Sequence, residues 1–250
     1  ENDMLGENDA IDDDNLLFGD RGKIADSVVA RCHQGSNSGI FGLRRSGKTS
    51  VLNAVLRRLD WEGTPYVLVE SRTYETFASW KSVLFEIACQ VRARMLGTER
   101  EDDESLSQFH TRLKLSSTEA DYEKRGVACF IDDMRRYCGD TLFVIALDEI
   151  ELITYNTATS ETWKTLEAYK GLWSALRGCG CPIVVCGVNS TINEVSNLTF
   201  NGEQCDNPMY GRIISCSESG NTYLPAFTDD QTKEMINTLE KYSNIAFSNV

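Results

Sequence analysis

Gly39-Ile-Phe-Gly-Leu-Arg-Arg-Ser-Gly-Lys-Thr-Ser50 decides how this chain is read. From Gly42 to Thr49 it spells G-x-x-x-x-G-K-T, led in by an apolar pair and followed by a helical pattern from Ser50 to Leu59. A polyphosphate needs several backbone N–H groups turned inward at once. A loop free of bulky side chains at its tightest points, flowing into a helix N-terminus, supplies them. The expected phosphate cradle comprises Gly42, Arg44, Arg45, Ser46, Gly47, Lys48, Thr49 and Ser50, with Lys48 reaching the β and γ phosphates and the Thr49 hydroxyl ligating Mg²⁺. Ser38 to Phe41 supplies the preceding short strand, the context this motif requires.

A second anchor is Thr141-Leu-Phe-Val-Ile-Ala-Leu-Asp-Glu149. An apolar run closed by two carboxylates describes a strand buried on both faces, and ligands of open parallel sheets bind outside the C-terminal ends of such strands. Asp148 is expected to support the metal beside Thr49, and Glu149 to polarise the attacking water. Pro182 to Val188 forms another buried strand, tipped by Asn189. That asparagine either contacts the γ phosphate or the water, or simply caps the strand.

Around these anchors the periodicity predicts helices over Lys23 to Cys32, Glu75 to Leu96, Tyr122 to Tyr137, Thr162 to Leu176 and Gln231 to Leu239, and a strand over Tyr66 to Val69. Residues 1–15 read as an acidic, flexible lead-in, and residues 16–250 as one domain. Residues 97–121 lose periodicity, gain acidic and hydroxyl residues, and read as a mobile or poorly packed insertion. Tyr223 to Phe227 reads as the edge or last strand, and the turn through Asn207-Pro-Met-Tyr-Gly-Arg212 precedes Ile213. The expected fold is a three-layer, doubly wound, mostly parallel α/β sheet, its phosphate-loop strand flanked by the acidic-tip and Asn189 strands.

Composition narrows the function classes. The chain has 250 residues with 38 acidic against 25 basic, a net charge of -13. That balance gives no support for non-specific nucleic-acid binding, which rests on clustered Lys and Arg. Nine cysteines with no metal-type or C-x-x-C spacing read as packed thiols in a reducing cytoplasm. His33 and His110 read as ordinary helix or surface residues. No apolar run is long enough to cross a bilayer.

Leu43-Arg-Arg-Ser-Gly-Lys-Thr-Ser-Val-Leu52, Leu147-Asp-Glu-Ile-Glu151 and Tyr223-Leu-Pro-Ala-Phe-Thr228 together resemble the ASCE P-loop ATPases, and within them the AAA+ and STAND ATPases, especially archaeal-type relatives of the origin-recognition proteins. The resemblance runs from about Phe18 to Leu239. It implies ATP and Mg²⁺ as ligands, Lys48 and Thr49 as phosphate and magnesium residues, Asp148 and Glu149 as metal-supporting and catalytic acids, and Asn189 as the first sensor. Phe18-Gly-Asp-Arg21 falls where the family encloses adenine, and Arg212 where many relatives supply an arginine finger to a neighbour; a solvent-exposed arginine after a turn is the other reading. It further implies a homo-oligomer, and coupling of nucleotide state to signalling or antiviral defence through an attached effector. No helical lid with its sensor arginine, and no winged helix, is legible in the chain. Two functions stay open: an ATP-hydrolysing module, and a nucleotide-gated interaction module with little turnover.

Overall fold

The computed structural model describes residues 17–215 and 223–243, apart from 78 and 102. The acidic lead-in therefore lies outside the described residues. In chain order the elements are α1 (Arg21–His33), β1 (Asn37–Phe41), α2 (Lys48–Trp61), β2 (Tyr66–Val69), α3 (Ser71–Thr76), α4 (Trp80–Leu96), α5 (Leu106–Leu113), α6 (Glu119–Cys138) and β3 (Val144–Leu147). There follow α7 (Leu166–Gly178), β4 (Ile183–Gly187), α8 (Thr191–Glu194), β5 (Asn197–Phe200), β6 (Glu203–Asp206), β7 (Ile213–Ser215) and α9 (Asp229–Ser243).

Five strands form one parallel sheet in the order β2-β3-β4-β1-β7. The expected parallel sheet is present, but the expected neighbours of β1 are corrected. The acidic-tip strand β3 is one place removed, because β4 lies between it and β1. Alternation along the strands loads both faces. Ile40, Val144, Ala146, Val184 and Cys186 pack under α1 and α2 with Val28, Val51, Leu52 and Leu59. Phe41, Val67, Val69, Ile145, Leu147, Ile183 and Val185 pack under α4, α6 and α7 with Leu84, Phe130, Leu172 and Trp173. The result is three layers.

Three further expectations are corrected. The helix over Glu75 to Leu96 is two helices: Phe77 is extended, and Ser79 restarts the chain as an N-cap, its hydroxyl accepting from Ser82 N. The poor packing expected of residues 97–121 gives way to α5, which opens on a reciprocal capping box between Ser105 and Gln108 and buries Phe109 and Leu113. The edge strand is β7 rather than Tyr223 to Phe227, of which Tyr223 makes a single parallel bridge to Phe41.

Candidate nucleotide site

The loop expected to cradle phosphate leaves β1 at Phe41 and enters α2 at Lys48. Gly47 holds the left-handed conformation at the helix N-cap (φ 85°), where a side chain would strain the backbone directly. Gly42 is fixed by space instead: a Cβ there would stand 2.5 Å from Ser46 Oγ. Arg45 also takes positive φ (63°) without being glycine, a costly conformation that persists only where its surroundings impose it. The first turn of α2 holds no acidic residue and the N-cap makes no side-chain hydrogen bond. The helix dipole and first-turn N–H groups of a fourteen-residue helix thus point at the loop.

Asp148 and Glu149 sit at the C-terminal tip of β3. The Thr49 hydroxyl donates to Asp148 Oδ2 at 3.1 Å, and Glu149 N donates to Asp148 Oδ1 at 2.8 Å. Glu149 itself adopts the left-handed conformation (φ 52°), turning the chain into a 3-10 turn at Ile150–Ile153 and leaving its own side chain exposed. Lys48 Nζ donates to Leu43 O at 2.9 Å, across the loop. Arg44, Arg45, Lys48, Thr49, Asp148, Glu149, Glu151, Gly187 and Val188 line one open cavity of about 390 Å³. Beneath it, burial and the neighbouring Asp148 push the Cys186 thiol up, so it stays neutral.

Six of the expected residues thus converge on one cavity: Arg44, Arg45, Lys48, Thr49, Asp148 and Glu149. Gly42, Ser46 and Gly47 shape the loop beside it, Ser50 is buried in α2, and Asn189 and Arg212 lie elsewhere. Asn189 is exposed at the tip of β4 and lines a separate small cleft with Ile150, Glu151, Thr154, Thr157 and Ile192. Arg212 lies at the opposite end of the sheet. It immediately precedes Ile213, which pairs with Asn37 at the start of β1, and its carbonyl accepts from Asn37 Nδ2 at 3.3 Å. Four residues of parallel strand, roughly 13 Å, separate that end from the loop.

Two residues absent from the expected site set matter to its geometry. Glu151 Oε1 accepts from Val188 N at 2.7 Å, tying the turn after β3 to the tip of β4, while its buried Oε2 has no hydrogen-bond partner. A Cβ on Gly187 would stand 3.0 Å from that oxygen and 2.6 Å from Ile150 Cγ1. A glycine is therefore required for the close approach. Arg21, only 3% exposed, donates to Ser46 O at 3.3 Å and to Pro225 O at 2.7 Å, with its guanidinium 4.1 Å from the Phe227 ring centre. It clamps the phosphate loop to the segment after β7. Both residues lie inside motifs the sequence makes visible, Phe18 to Arg21 and Leu147 to Glu151, but their partners are distant in the chain.

No protein-family model matches this chain, and no curated protein does. Among solved structures, the Aeropyrum pernix ORC1 protein in complex with DNA aligns over 92% of this chain and 52% of its own, at 17% identity and a TM-score of 0.52. The Aeropyrum pernix ORC2 protein, in ADPNP and ADP complexes, aligns over 94% of this chain and 55% of its own at 14% identity and a TM-score of 0.44. This chain spans about half the length of either protein. At such identity the likeness to ORC1 is one of fold. The shared fold is a three-layer, doubly wound parallel sheet, the architecture the motifs led us to expect. Among the described residues, no helix is long and apolar enough to cross a membrane.

Proposed function

We propose that this chain binds ATP with Mg²⁺ at the tips of β1 and β3 and hydrolyses it by direct attack of water. The observation that carries the reading is the 3.1 Å hydrogen bond from Thr49 Oγ1 to Asp148 Oδ2, with Lys48 and Glu149 opening on the same cavity. A hydroxyl and a carboxylate in contact are the oxygen donors that a small hard cation takes, one or two at a time, beside a polyphosphate. The buried, unpartnered Ser46 Oγ and the bare first turn of α2 fit a phosphate rather than an apolar ligand.

In this mechanism the loop amides and Lys48 fix the β and γ phosphates, and Arg44 and Arg45 add positive charge at the rim. Thr49 and Asp148 would hold the metal, which would supply positive charge to offset that of the phosphates. Glu149 orients a water against the γ phosphorus and accepts its proton as the bond to the leaving oxygen of ADP breaks. The chain supplies position and charge, with no covalent nucleophile. Coupling of the nucleotide state to homo-oligomerisation, and through it to an attached effector in signalling or defence, is part of the same proposal. It is supported by the sequence resemblance and by the place of Arg212, which is remote from its own chain's cavity and exposed.

Glu149→Gln is expected to keep ATP affinity within about threefold and to lower turnover by roughly 10²-fold or more, the usual worth of a general base. Equal turnover by the two proteins, measured as phosphate release with Mg²⁺, would remove Glu149 from its role. Binding with negligible turnover in the unaltered chain would instead favour the nucleotide-gated module, with assembly state as its readout.

A further inference from the structure

On the far side of the sheet from α1 and α2, Glu86 and Cys89 on α4 face His110 on α5. One donor atom of each, a carboxylate oxygen, the thiol sulfur and an imidazole nitrogen, lies within 4.8 Å of the other two. Cys89 is fully buried and the other two residues are partly so. Two of the three donors lack a hydrogen bond: Glu86 Oε2 and His110 Nε2 are both buried atoms without a partner. They face each other at 3.9 Å, an ion pair only when the imidazole is protonated and too long for a hydrogen bond. Buried polar atoms are ordinarily satisfied, so two facing orphans beside a third donor call for an explanation. The other carboxylate oxygen, Glu86 Oε1, accepts from Gln90 Nε2 at 2.9 Å. That bond orients the carboxylate and leaves Oε2 directed at the histidine.

We propose that Glu86, Cys89 and His110 form a binding site for one transition-metal ion of the zinc class, clipping α5 to α4. The donor set of one thiolate, one imidazole and one carboxylate suits zinc, whose tetrahedral ligands stand roughly 3.3 to 3.8 Å apart. Side-chain rotations of about an ångström close the observed triangle to that size. Charge favours the same ion. A thiolate and a carboxylate together balance a dication, so binding leaves no net charge in a buried setting, and the thiol proton passes to solvent. The fourth position is left to water from the adjoining groove, which His110 lines with Phe85, Ser107, Thr111, Thr118 and Glu119. Glu86 and Cys89 are one helical turn apart and His110 comes from a separate helix. The metal would therefore tie the two helices directly to each other.

The test uses the whole chain, freed of metal with a chelator and titrated with Co²⁺ and Zn²⁺. One equivalent of Co²⁺ is expected to give tetrahedral d–d bands with a thiolate-to-metal charge-transfer band, displaced by one equivalent of Zn²⁺, and Zn²⁺ is expected to raise the thermal midpoint. Cys89→Ser, close to isosteric, should lose the charge-transfer band, and His110→Ala should weaken the metal at least tenfold. The proposed Thr49 and Asp148 magnesium site has no thiol, so Co²⁺ bound there gives no such band. Failure of the unaltered chain to take up one equivalent, or a charge-transfer band retained in Cys89→Ser, would overturn the site. The first outcome would leave Glu86 and His110 as a bare ion pair, and the second would point to thiols elsewhere.

Discussion

Polar groups gather in two regions of this molecule on opposite terms. At the tips of β1 and β3, Lys48, Thr49, Asp148 and Glu149 are open to solvent or only partly covered, on a backbone bent into left-handed turns at Arg45, Gly47 and Glu149. Beneath α4, α5 and α6, Asp133, Glu86 and His110 are enclosed by aromatic side chains such as Phe85, Phe109 and Tyr122. Asp133 is 3% exposed and accepts from Tyr122 Oη and Ser117 Oγ, both at 3.0 Å. The first region leaves charge where a ligand can meet it, at the cost of backbone strain. The second satisfies most of its polar groups internally and so ties them to stability. Substitutions at the tips should change ligand binding with little effect on folding, and those under α4 should do the reverse.

Lys48→Ala should break the comparison most sharply if it is wrong. Removing the cation from the cradle is expected to weaken ATP roughly 10²-fold, the scale of one lost charge-assisted contact. Unfolding free energy should move by no more than about 0.5 kcal/mol, as for a substitution outside the core. Calorimetric titration and a denaturant melt on the same sample read both numbers. Unchanged ATP affinity would remove the phosphate-loop assignment, and a loss of several kcal/mol in stability would remove the contrast.

The two regions were unequally legible in the sequence. The tip region is written in contiguous segments: the loop and its helix follow each other directly, and the carboxylates end an apolar run, so Lys48, Thr49, Asp148 and Glu149 can be placed without knowing the fold. The β2 boundaries, Tyr66 to Val69, were as expected. Strand order was not readable, because the insertion of β4 between β1 and β3 is decided by crossovers and leaves no local mark. The position of Arg212 was hidden for the same reason: only the register of β7 against β1 shows which end of the sheet it occupies. Residues 97–121 did carry a signal. Ser105 and Gln108 stand at capping-box spacing ahead of Phe109 and Leu113, but the acidic composition around them outweighed a helix of eight residues. The break at Phe77 was hidden because apolar spacing continues through it, and Ser79 reads as an N-cap only once the break is known.

Gly171→Ala tests the enclosed region. Trp80 is wedged between α6 and α7, and a Cβ on Gly171 would stand 2.6 Å from its ring. On the other side Gly126 gives the ring room, where α6 is bent at Arg125 (φ -133°) and Lys81 Nζ donates to Glu123 O at 2.7 Å. Alanine improves helix propensity by about 1 kcal/mol, while overpacking against a rigid ring costs about 1 to 3 kcal/mol. The ring has little room to retreat, since a Cβ on Gly126 would already be 3.2 Å from it, and the cost should fall at about 2 to 3 kcal/mol, the upper part of that range. The expected net is a destabilisation of about 1 to 2 kcal/mol by denaturant melt, with ATP affinity unaltered. A neutral or stabilising result would show that Trp80 moves freely, and that this layer is looser than its burial implies.

The smallest effect expected is the pH dependence carried by Asp133. Burial raises its pKa above the ordinary carboxylate value, although the hydroxyls of Tyr122 and Ser117 both favour its charged form. The folded protein therefore holds this proton more tightly than the unfolded chain. Its contribution to stability is fully present below the unfolded pKa and is lost as pH climbs through the raised value. Other carboxylates, Glu104 beside Arg112 and Asp121 at the α6 cap, have lowered pKa values and act in the opposite sense. The informative quantity is thus the difference between two proteins rather than either curve. Asp133→Asn keeps an acceptor for one of the two hydroxyls and cannot ionise. Relative to it, the unaltered chain should lose stability as pH rises from the ordinary carboxylate value through the raised folded value. Parallel curves would mean that the Tyr122 and Ser117 hydrogen bonds offset burial fully, and that the enclosed region holds its charge as comfortably as the strand tips do.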